Sequence, residues 1–379
     1  MKLHGIADRW EVASFVERPN RFTLVLESGG KTLRAYLPNT GRLEEYLVEG
    51  HPFFITHFKS EKFRFRVVST LYQGCHVLLD TIAMNDLATV LIEGGFISGL
   101  GTVTSLRREQ TIGSSRFDFI VERRGLQPLV VEVKTCTLSH KGVAMFPDAP
   151  SLRARTHLVH LGDLRRQGYD TAMFFIVPNA RTLRFVPNIH TDPEFSEMML
   201  RTDVSLSAFA LGLVDPVQVD LDSVQQIPVD LDQVRILEKN RGSYLLVLEN
   251  NRMKKVAVGS LGEVQLPAGH YVYVGSGMGS LEARAARHYR RSKKRFWHID
   301  YLSPEHLKPE KLFVIRRSDR IEFELAKRVK SLASMRVPGF GSSDSRADSH
   351  LFFFNTPPQR NPDFMRLVLD FRTFMEETE

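Results

Sequence analysis

Three residues stand at a spacing that could handle a phosphodiester: Asp118, and then Glu132 and Lys134 two positions apart. In a strand, side chains alternate between faces, so Leu129, Val131 and Val133 point one way while Glu132 and Lys134 point the other. In the preceding run Phe117, Phe119 and Val121 share the core face, and Asp118 projects from the opposite face with Arg116 and Ile120. With Arg124-Gly125-Leu126 as the connecting loop, the hairpin register sets Asp118 directly across from Glu132. Neighbouring carboxylates repel, and a Mg²⁺ or Mn²⁺ ion held between them relieves the repulsion. Such an ion polarises a phosphoryl oxygen and acidifies a bound water, while Lys134 positions that water or steadies developing negative charge. The bland alternative is a solvated strand face. Against it, the segment around Glu132 is otherwise apolar, and unpaired charge in a central strand is costly.

The elements that must position these groups follow from pattern and punctuation. Up to about residue 80 the chain reads as short strands between turn signals: Arg21–Glu27, Lys31–Leu37, Phe53–Phe58, Lys62–Leu71 and His76–Asp80, with a short helix at Arg42–Leu47. Closely spaced strands with little helix predict a small β-barrel of the OB type over residues 1–80. In its Lys62–Val67 strand, Phe63, Phe65 and Val67 face inward, and Lys62, Arg64 and Arg66 face outward where they could track phosphates.

From Thr81 helix alternates with strand: a helix capped by Asn85 and ended by Gly94-Gly95, a hairpin at Arg116–Val121 and Pro128–Thr135, helices at Ser151–Gln167 and Pro193–Thr202, and a buried strand at Ala172–Val177. This predicts an α/β domain over residues 81–233, trailing into an inter-domain segment, Pro216–Val234, in which Val219-Asp220-Leu221-Asp222 is echoed by Val229-Asp230-Leu231-Asp232. A third domain is expected over 238–355, with strands at Tyr244–Glu249, Lys254–Gly259 and Gly269–Gly275 and helices at Ser280–Arg291 and Ile321–Met335. One amphipathic helix is expected in the tail, 356–379. The fold class is thus multidomain, α+β and α/β.

Composition narrows the partners. With 51 Lys and Arg against 44 Asp and Glu, the net charge is +7, which favours polyanions such as DNA because cationic side chains displace condensed counterions. There is no signal-peptide pattern at Met1–Trp10 and no stretch long enough to span a bilayer. Two cysteines, Cys75 and Cys136, make neither a disulfide framework nor a thiolate metal site, so a cytoplasmic protein is expected.

The acid, turn and Glu-x-Lys spacing matches the PD-(D/E)xK nuclease signature. Four segments, Leu37–Leu43, Ser115–Phe119, Val131–Lys134 and Phe146–Ala149, resemble in sequence and order the sugar fermentation stimulation protein A (SfsA) family over roughly residues 1–233. The resemblance implies an N-terminal OB-fold, a restriction-endonuclease-like α/β domain and DNA binding, with Arg42, Arg153 and His157 among the nucleic-acid-binding groups. It also exposes a departure. The family usually carries acids in the middle of the helix after its Asn-x-Leu motif, and here Thr89 and Val90 stand there, leaving Glu93 or Glu109 as substitutes. Asp148 is read as a supporting or capping acid.

A second constellation lies further on. Gly242-Ser243-Tyr244 opens one strand, Tyr273-Val274-Gly275 closes another, Arg284 and His288 share a helix face, and Glu322 comes on a later helix. This order resembles the GIY-YIG nucleases. The resemblance implies tyrosines Tyr244 and Tyr273 assisting the attacking water, Arg284 and His288 at the developing charge, and Glu322 holding one divalent metal. Gly269–Gly277, Trp297–Leu302 and Phe340–Asp344 are similar to a divergent prokaryotic branch that occurs alone or fused to SfsA-type proteins. Cysteines of that branch are replaced here by Phe323, Ser345 and Ala347. Arg290, Arg291, Lys293, Lys294 and Arg295 would supply phosphate contacts.

The resulting expectation is a DNA-binding, metal-dependent nuclease, its metal ligands Asp118, Glu132 and Glu322, acting on single-stranded or branched DNA, with RNA as an alternative partner. The competing expectation is a non-catalytic transcriptional regulator of sugar metabolism genes that has kept the nuclease shape; a structural scaffold is a third.

Overall fold

The structure is a computed structural model describing residues 1–3, 5–341 and 347–373. It divides into two compact units, Met1–Val234 and Arg235–Glu379. No helix among the described residues is long and apolar enough to cross a membrane.

The first unit begins with strands β1 (Trp10–Asn20), β2 (Thr23–Ser28), β3 (Lys31–Tyr36), β4 (Pro52–His57), β5 (Phe65–Tyr72) and β6 (Cys75–Leu78). They pair in the order β3-β2-β1-β4-β5-β6, and a parallel β3–β5 pairing closes the first five into an OB-like barrel. Alternation fills it: Leu24 and Leu26, Phe53 and Ile55, and Val67 and Val77 meet in one core.

Two local expectations fail for physical reasons. Arg42–Leu47 is a series of turns and not a helix, because Leu43 adopts a left-handed backbone (φ 53°) that no α-helix accommodates. Arg66 does not face solvent. It lies on β5 where the barrel exterior is covered by the start of the next helix, and its Nη2 donates to the fully buried Asp80 at 2.7 Å.

Asp80 also explains a misplaced helix start. Its carboxylate accepts the N–H groups of Ile82 and Ala83, so α1 spans Thr81–Glu93, Asp80 is the N-cap, and Asn85 sits inside the helix. There follow β7 (Val103–Ile112), β8 (Ser115–Arg123), β9 (Leu129–Thr135), β10 (Ser139–His140), β11 (Val143–Phe146), α2 (Leu152–Arg166), β12 (Asp170–Val177), β13 (Arg184–Pro187), α3 (Pro193–Arg201), β14 (Ser205–Asp215) and β15 (Gln218–Ile227). A mixed sheet runs β15-β14-β12-β9-β8-β7. Val131, Val133 and Phe174 pack with α1 on one face, and Val130, Phe175 and Leu158 pack with α2 and α3 on the other. Both faces of β9 are therefore covered, as its apolar run requires. The segment expected to be a linker instead supplies β15, antiparallel to β14 at the sheet edge. Val219 enters the core while the alternating aspartates stay toward water, so an edge strand carries the acidic pattern.

The second unit comprises β16 (Gly242–Asn250), β17 (Lys254–Ala257), β18 (Glu263–Leu266), β19 (Gly269–Ser276), α4 (Leu281–Arg287), β20 (Lys308–Arg316), α5 (Glu322–Leu332), β21 (Met335–Arg336), β22 (Leu351–Phe354) and α6 (Pro362–Thr373). A five-stranded antiparallel sheet runs β20-β16-β19-β22-β21. Helix α4 is shorter than expected and stops before the basic run. The tail helix is a core element: Phe364 packs edge-on against Phe313 of β20 and Phe354 of β22.

Asp80 neutralises a buried guanidinium and caps α1, so removing it leaves an uncompensated buried charge. Asp80→Ala is expected to destabilise the first unit by ~3–5 kcal/mol in chemical denaturation, whereas a loss below ~1 kcal/mol would show the pair to be dispensable.

Candidate functional site

Strands β8 and β9 pair with Phe119 opposite Val131 and Ile120 opposite Val130. The same register brings Asp118 opposite Glu132, and Asp118 Oδ2 accepts the Val133 N–H at 2.8 Å. Glu132 is only 1% exposed. Its Oε1 contacts Lys134 Nζ and lies 2.5 Å from His157 Nδ1, while Oε2 is buried without a hydrogen-bond partner.

Burial, reinforced by the charge of Glu132, pushes the Asp118 carboxyl up to about 6. Burial acts on Glu132 in the same sense, but His157 and Lys134 outweigh it and hold that carboxyl below its ordinary value. Two facing acids are thus driven apart in acidity, Asp118 being the one that takes a proton first.

Asp118, Glu132 and Lys134 line a cleft of about 630 Å³ together with Asn39, Asp86, Arg108, Glu109, Asp148 and Arg153, while His157 lies behind it. Asp86 is the helix acid that the sequence reading missed. It lies on α1 just before Thr89 and Val90, and pairs with Arg108 at 2.8 Å. Its signal was helical periodicity: Ala83, Met84, Leu87 and Leu91 are buried, which leaves Asp86 on the polar face. Glu109 reaches the cleft too, paired with Arg116, whereas Glu93 is exposed and outside it. Asp148 ties the Asn39–Leu43 turn to the loop after Pro147 by accepting the Leu43 N–H at 3.3 Å. A Cβ at Gly41 would come within 2.4 Å of Asp148 Oδ2, so only glycine fits that turn. Among the described residues, no three His, Cys, Asp or Glu side chains gather as a ready metal cluster.

In the second unit, Tyr273, Arg284 and Glu322 line one cleft of about 720 Å³ with Ser276, Arg287, His298, Arg320 and His350. Tyr244 and His288 are not at its surface. Tyr244 is fully buried and hydrogen-bonded to His288 Nε2 at 2.6 Å, and a Cβ at Gly275 would strike the Tyr244 ring at 2.4 Å. Burial pushes the Tyr273 phenol up to about 12 and His288 down to about 3, so both stay neutral near pH 7. Burial also opposes the charge of Arg284, but the neighbouring Tyr244 and Tyr273 more than offset it and hold the guanidinium above its ordinary value. Glu322 Oε2 accepts from Ser276 Oγ at 2.5 Å, and Oε1 lies 3.7 Å from His350 Nδ1. His298 accepts the Gly341 N–H through Nδ1, leaving the proton of the neutral ring on Nε2. His298, His350 and Arg320 escaped the sequence reading because they come from separate elements with no common spacing.

The expected phosphate contacts divide. Lys62, Arg64, Arg42, Arg153, Arg290 and Arg291 are exposed, as are Lys294 and Arg295, the latter paired with Glu305 at 3.1 Å. Three are corrected. Arg66 is paired with Asp80, His157 is buried against Glu132, and Lys293 is buried with Nζ 3.6 Å from Asp300. In each case a carboxylate inside the fold has claimed the cation. Ser342, Ser343, Asp344 and Ser345 lie outside the described residues.

Barrel, two-sided sheet and a buried Glu-x-Lys opening into a shared cleft define an OB-barrel protein joined to an α/β domain with an acidic site, followed by a further α/β domain. The comparisons agree: residues 16–79 match the SfsA N-terminal OB domain, 82–209 the sugar fermentation stimulation protein RE domain, and 243–372 the domain of unknown function DUF123. A sugar fermentation stimulation protein homolog of Moorella thermoacetica is 34% identical over 215 residues, 55% of this chain and 92% of the relative. One from Methanothermobacter thermautotrophicus is 34% identical over 50% of this chain and 79% of its own. The chain belongs to the sugar fermentation stimulation protein family. The solved structure of Pyrococcus furiosus SfsA in complex with Ca²⁺ is similar at 26% identity and a TM-score of 0.55, covering 61% of this chain and 99% of that one.

A carboxyl whose pKa is raised on folding stabilises the fold when protonated and costs stability once ionised. For Asp118 the cost is absent below about pH 4 and complete above about pH 6–7. Asp118→Asn keeps the oxygen that accepts the Val133 N–H and removes the charge. With divalent ions chelated, it should exceed the parent in stability by ~1–3 kcal/mol at about pH 8 and match it at about pH 4; equal stability throughout would contradict the environment described for Asp118.

Proposed function

We propose that this chain is a metal-dependent nuclease that binds DNA and hydrolyses phosphodiester bonds, with single-stranded or branched DNA as substrate and RNA as the alternative. The observation that carries this reading is Glu132: a buried carboxylate with an unpartnered oxygen, opposite Asp118 and beside Lys134, at a cleft of about 630 Å³. A group so buried is unfavourable unless something completes its coordination. Two carboxylates fit a Mg²⁺ or Mn²⁺ ion, which takes few protein ligands and fills its remaining positions with water and phosphate oxygens. The Pyrococcus furiosus SfsA structure is in complex with Ca²⁺, a cation that prefers oxygen ligands, and this supports a divalent ion at the acids of this chain. Asp118 and Glu132 would hold the ion, and its chemistry is to polarise a phosphoryl oxygen and acidify water. Lys134 supplies positive charge where the leaving group or phosphorane develops, His157 fixes Glu132, and Arg153 and Arg108 meet the flanking backbone.

In the second unit we read a GIY-YIG-like site. Arg284 stabilises the charge developing at phosphorus, Tyr273 orients the attacking water, and Glu322 would hold a metal; Tyr244 and His288 position Arg284 and Tyr273 from behind. The net charge of +7 supports a polyanionic partner, and the two cysteines, both free, accord with a cytoplasmic setting.

One observation favours the non-catalytic regulator instead: Glu132 Oε1 is already engaged by Lys134 and His157. A panel of plasmid, single-stranded and branched oligonucleotides with Mg²⁺ or Mn²⁺ separates the readings. Glu132→Gln is expected to lower cleavage ~10²–10³-fold at the first site and Glu322→Gln to remove what remains. Binding should weaken steeply between about 50 and 200 mM salt. Retained binding without product under any condition selects the regulator, and a flat salt response removes nucleic acid as the partner.

A further inference from the structure

The cleft of the second unit is walled on one side by two aromatic side chains that no step above uses. Phe296 is 63% exposed and Trp297 38% exposed. Their ring centroids are 6.1 Å apart at an interplanar angle of 56°, and both line the same cleft as Tyr273, Arg284 and Glu322. Exposed rings of this size are unfavourable in water. They are also held in place. The N–H groups of Phe296 and Trp297 both donate to Asp300 Oδ2, at 3.0 and 3.1 Å, and Arg287 Nη2 donates to the same oxygen at 2.9 Å. Arg284 lies over one face of the indole, its Cζ 3.7 Å from the ring centroid, so a base would use the exposed remainder of Trp297 and the Phe296 ring. Lys294 Nζ lies 5.0 Å from the Phe296 ring and Arg287 Cζ 5.6 Å from it.

Rigid, exposed rings interleaved with cations suit a ligand that has both a flat π-face and a negative charge. A nucleotide in a single strand is such a ligand: its base stacks on an aromatic ring while its phosphate meets a guanidinium. A base inside a duplex has both faces occupied by its neighbours, so an unstacked nucleotide is required.

We propose that Phe296 and Trp297 form a stacking subsite for one unpaired base, with the exposed Arg290 receiving its phosphate, so that this cleft selects nucleic acid with unpaired nucleotides. The subsite rests on the nucleic-acid reading of the cleft and deepens it. Stacking distinguishes paired from unpaired nucleotides and is indifferent to base identity. Asp300 acts as a positioning residue: by fixing both backbone amides it presents the rings without further ordering on binding.

The test uses the full chain carrying Trp10→Phe, which leaves Trp297 as the sole tryptophan of the two in the sequence. A single-stranded DNA of about 12 nucleotides is titrated with divalent ions chelated, against the same strand made of abasic residues, and tryptophan fluorescence is read beside anisotropy. The expected result is quenching of Trp297 by the base-bearing strand alone. Phe296→Ala should weaken the quenching transition ~10-fold or more, with Phe296→Tyr restoring it. Salt-dependent binding of both strands without any change in Trp297 emission overturns the stacking subsite and leaves the nucleic-acid reading standing. Binding of neither strand to the chain overturns both.

Discussion

The interaction on which the first unit's site depends is the burial of one carboxylate, Glu132, in the middle of a sheet covered on both faces. Lys134 and His157 share its charge at Oε1. Asp118 faces it from the neighbouring strand and is held there by the Val133 N–H. Remove the apolar packing of β9 and Glu132 becomes an ordinary surface acid; remove the cations and it becomes a costly buried anion. The site exists because both conditions hold together.

The same principle recurs elsewhere in the chain. Asp80 is buried with Arg66 and simultaneously caps α1, coupling the barrel to the helix that carries Asp86. Asp300 is buried with Arg287 and Lys293 and accepts the amides that set the orientation of Phe296 and Trp297. In each case a buried carboxylate orders backbone and cation together, and the lining of a cleft is built on the ordered backbone. Each of these acids took a cation that local sequence would assign to phosphate: Arg66, Lys293 and, at Glu132, His157.

The two clefts differ in how they are built. In the first unit the chemistry-bearing side chains come from adjacent strands and from helices α1 and α2 on opposite faces of the sheet, and acids predominate among them. In the second unit a buried Tyr244–His288 pair lies behind the cleft, and Arg284 is held between phenols and an indole. Here the fixed positive charge is the prominent feature, and among the described residues that line the cleft Glu322 is the one acid.

Much of this was legible in the sequence because it rests on local periodicity. The alternation of Phe117, Phe119 and Val121 against Leu129, Val131 and Val133 fixes the hairpin, and the hairpin fixes Asp118 across from Glu132. Five of the six barrel strands, the α2 and α3 helices and strands β8, β9 and β12 follow from the same two- and 3.6-residue periods, whereas β1, β7 and β14 are absent from the sequence-based expectation. What local pattern does not contain is which partner a charge will find. That His157 meets Glu132 across 25 positions, that Arg66 turns to Asp80, that Asp86 joins a cleft with Asp118, and that Val219–Asp222 is an edge strand and not a linker all depend on segments brought together by packing. The sequence by itself determined most of the elements and the acids they carry; the tertiary structure decided the remaining strands and which charges are buried, and burial decides which of them pair, because the strength of a charge interaction is set by its surroundings.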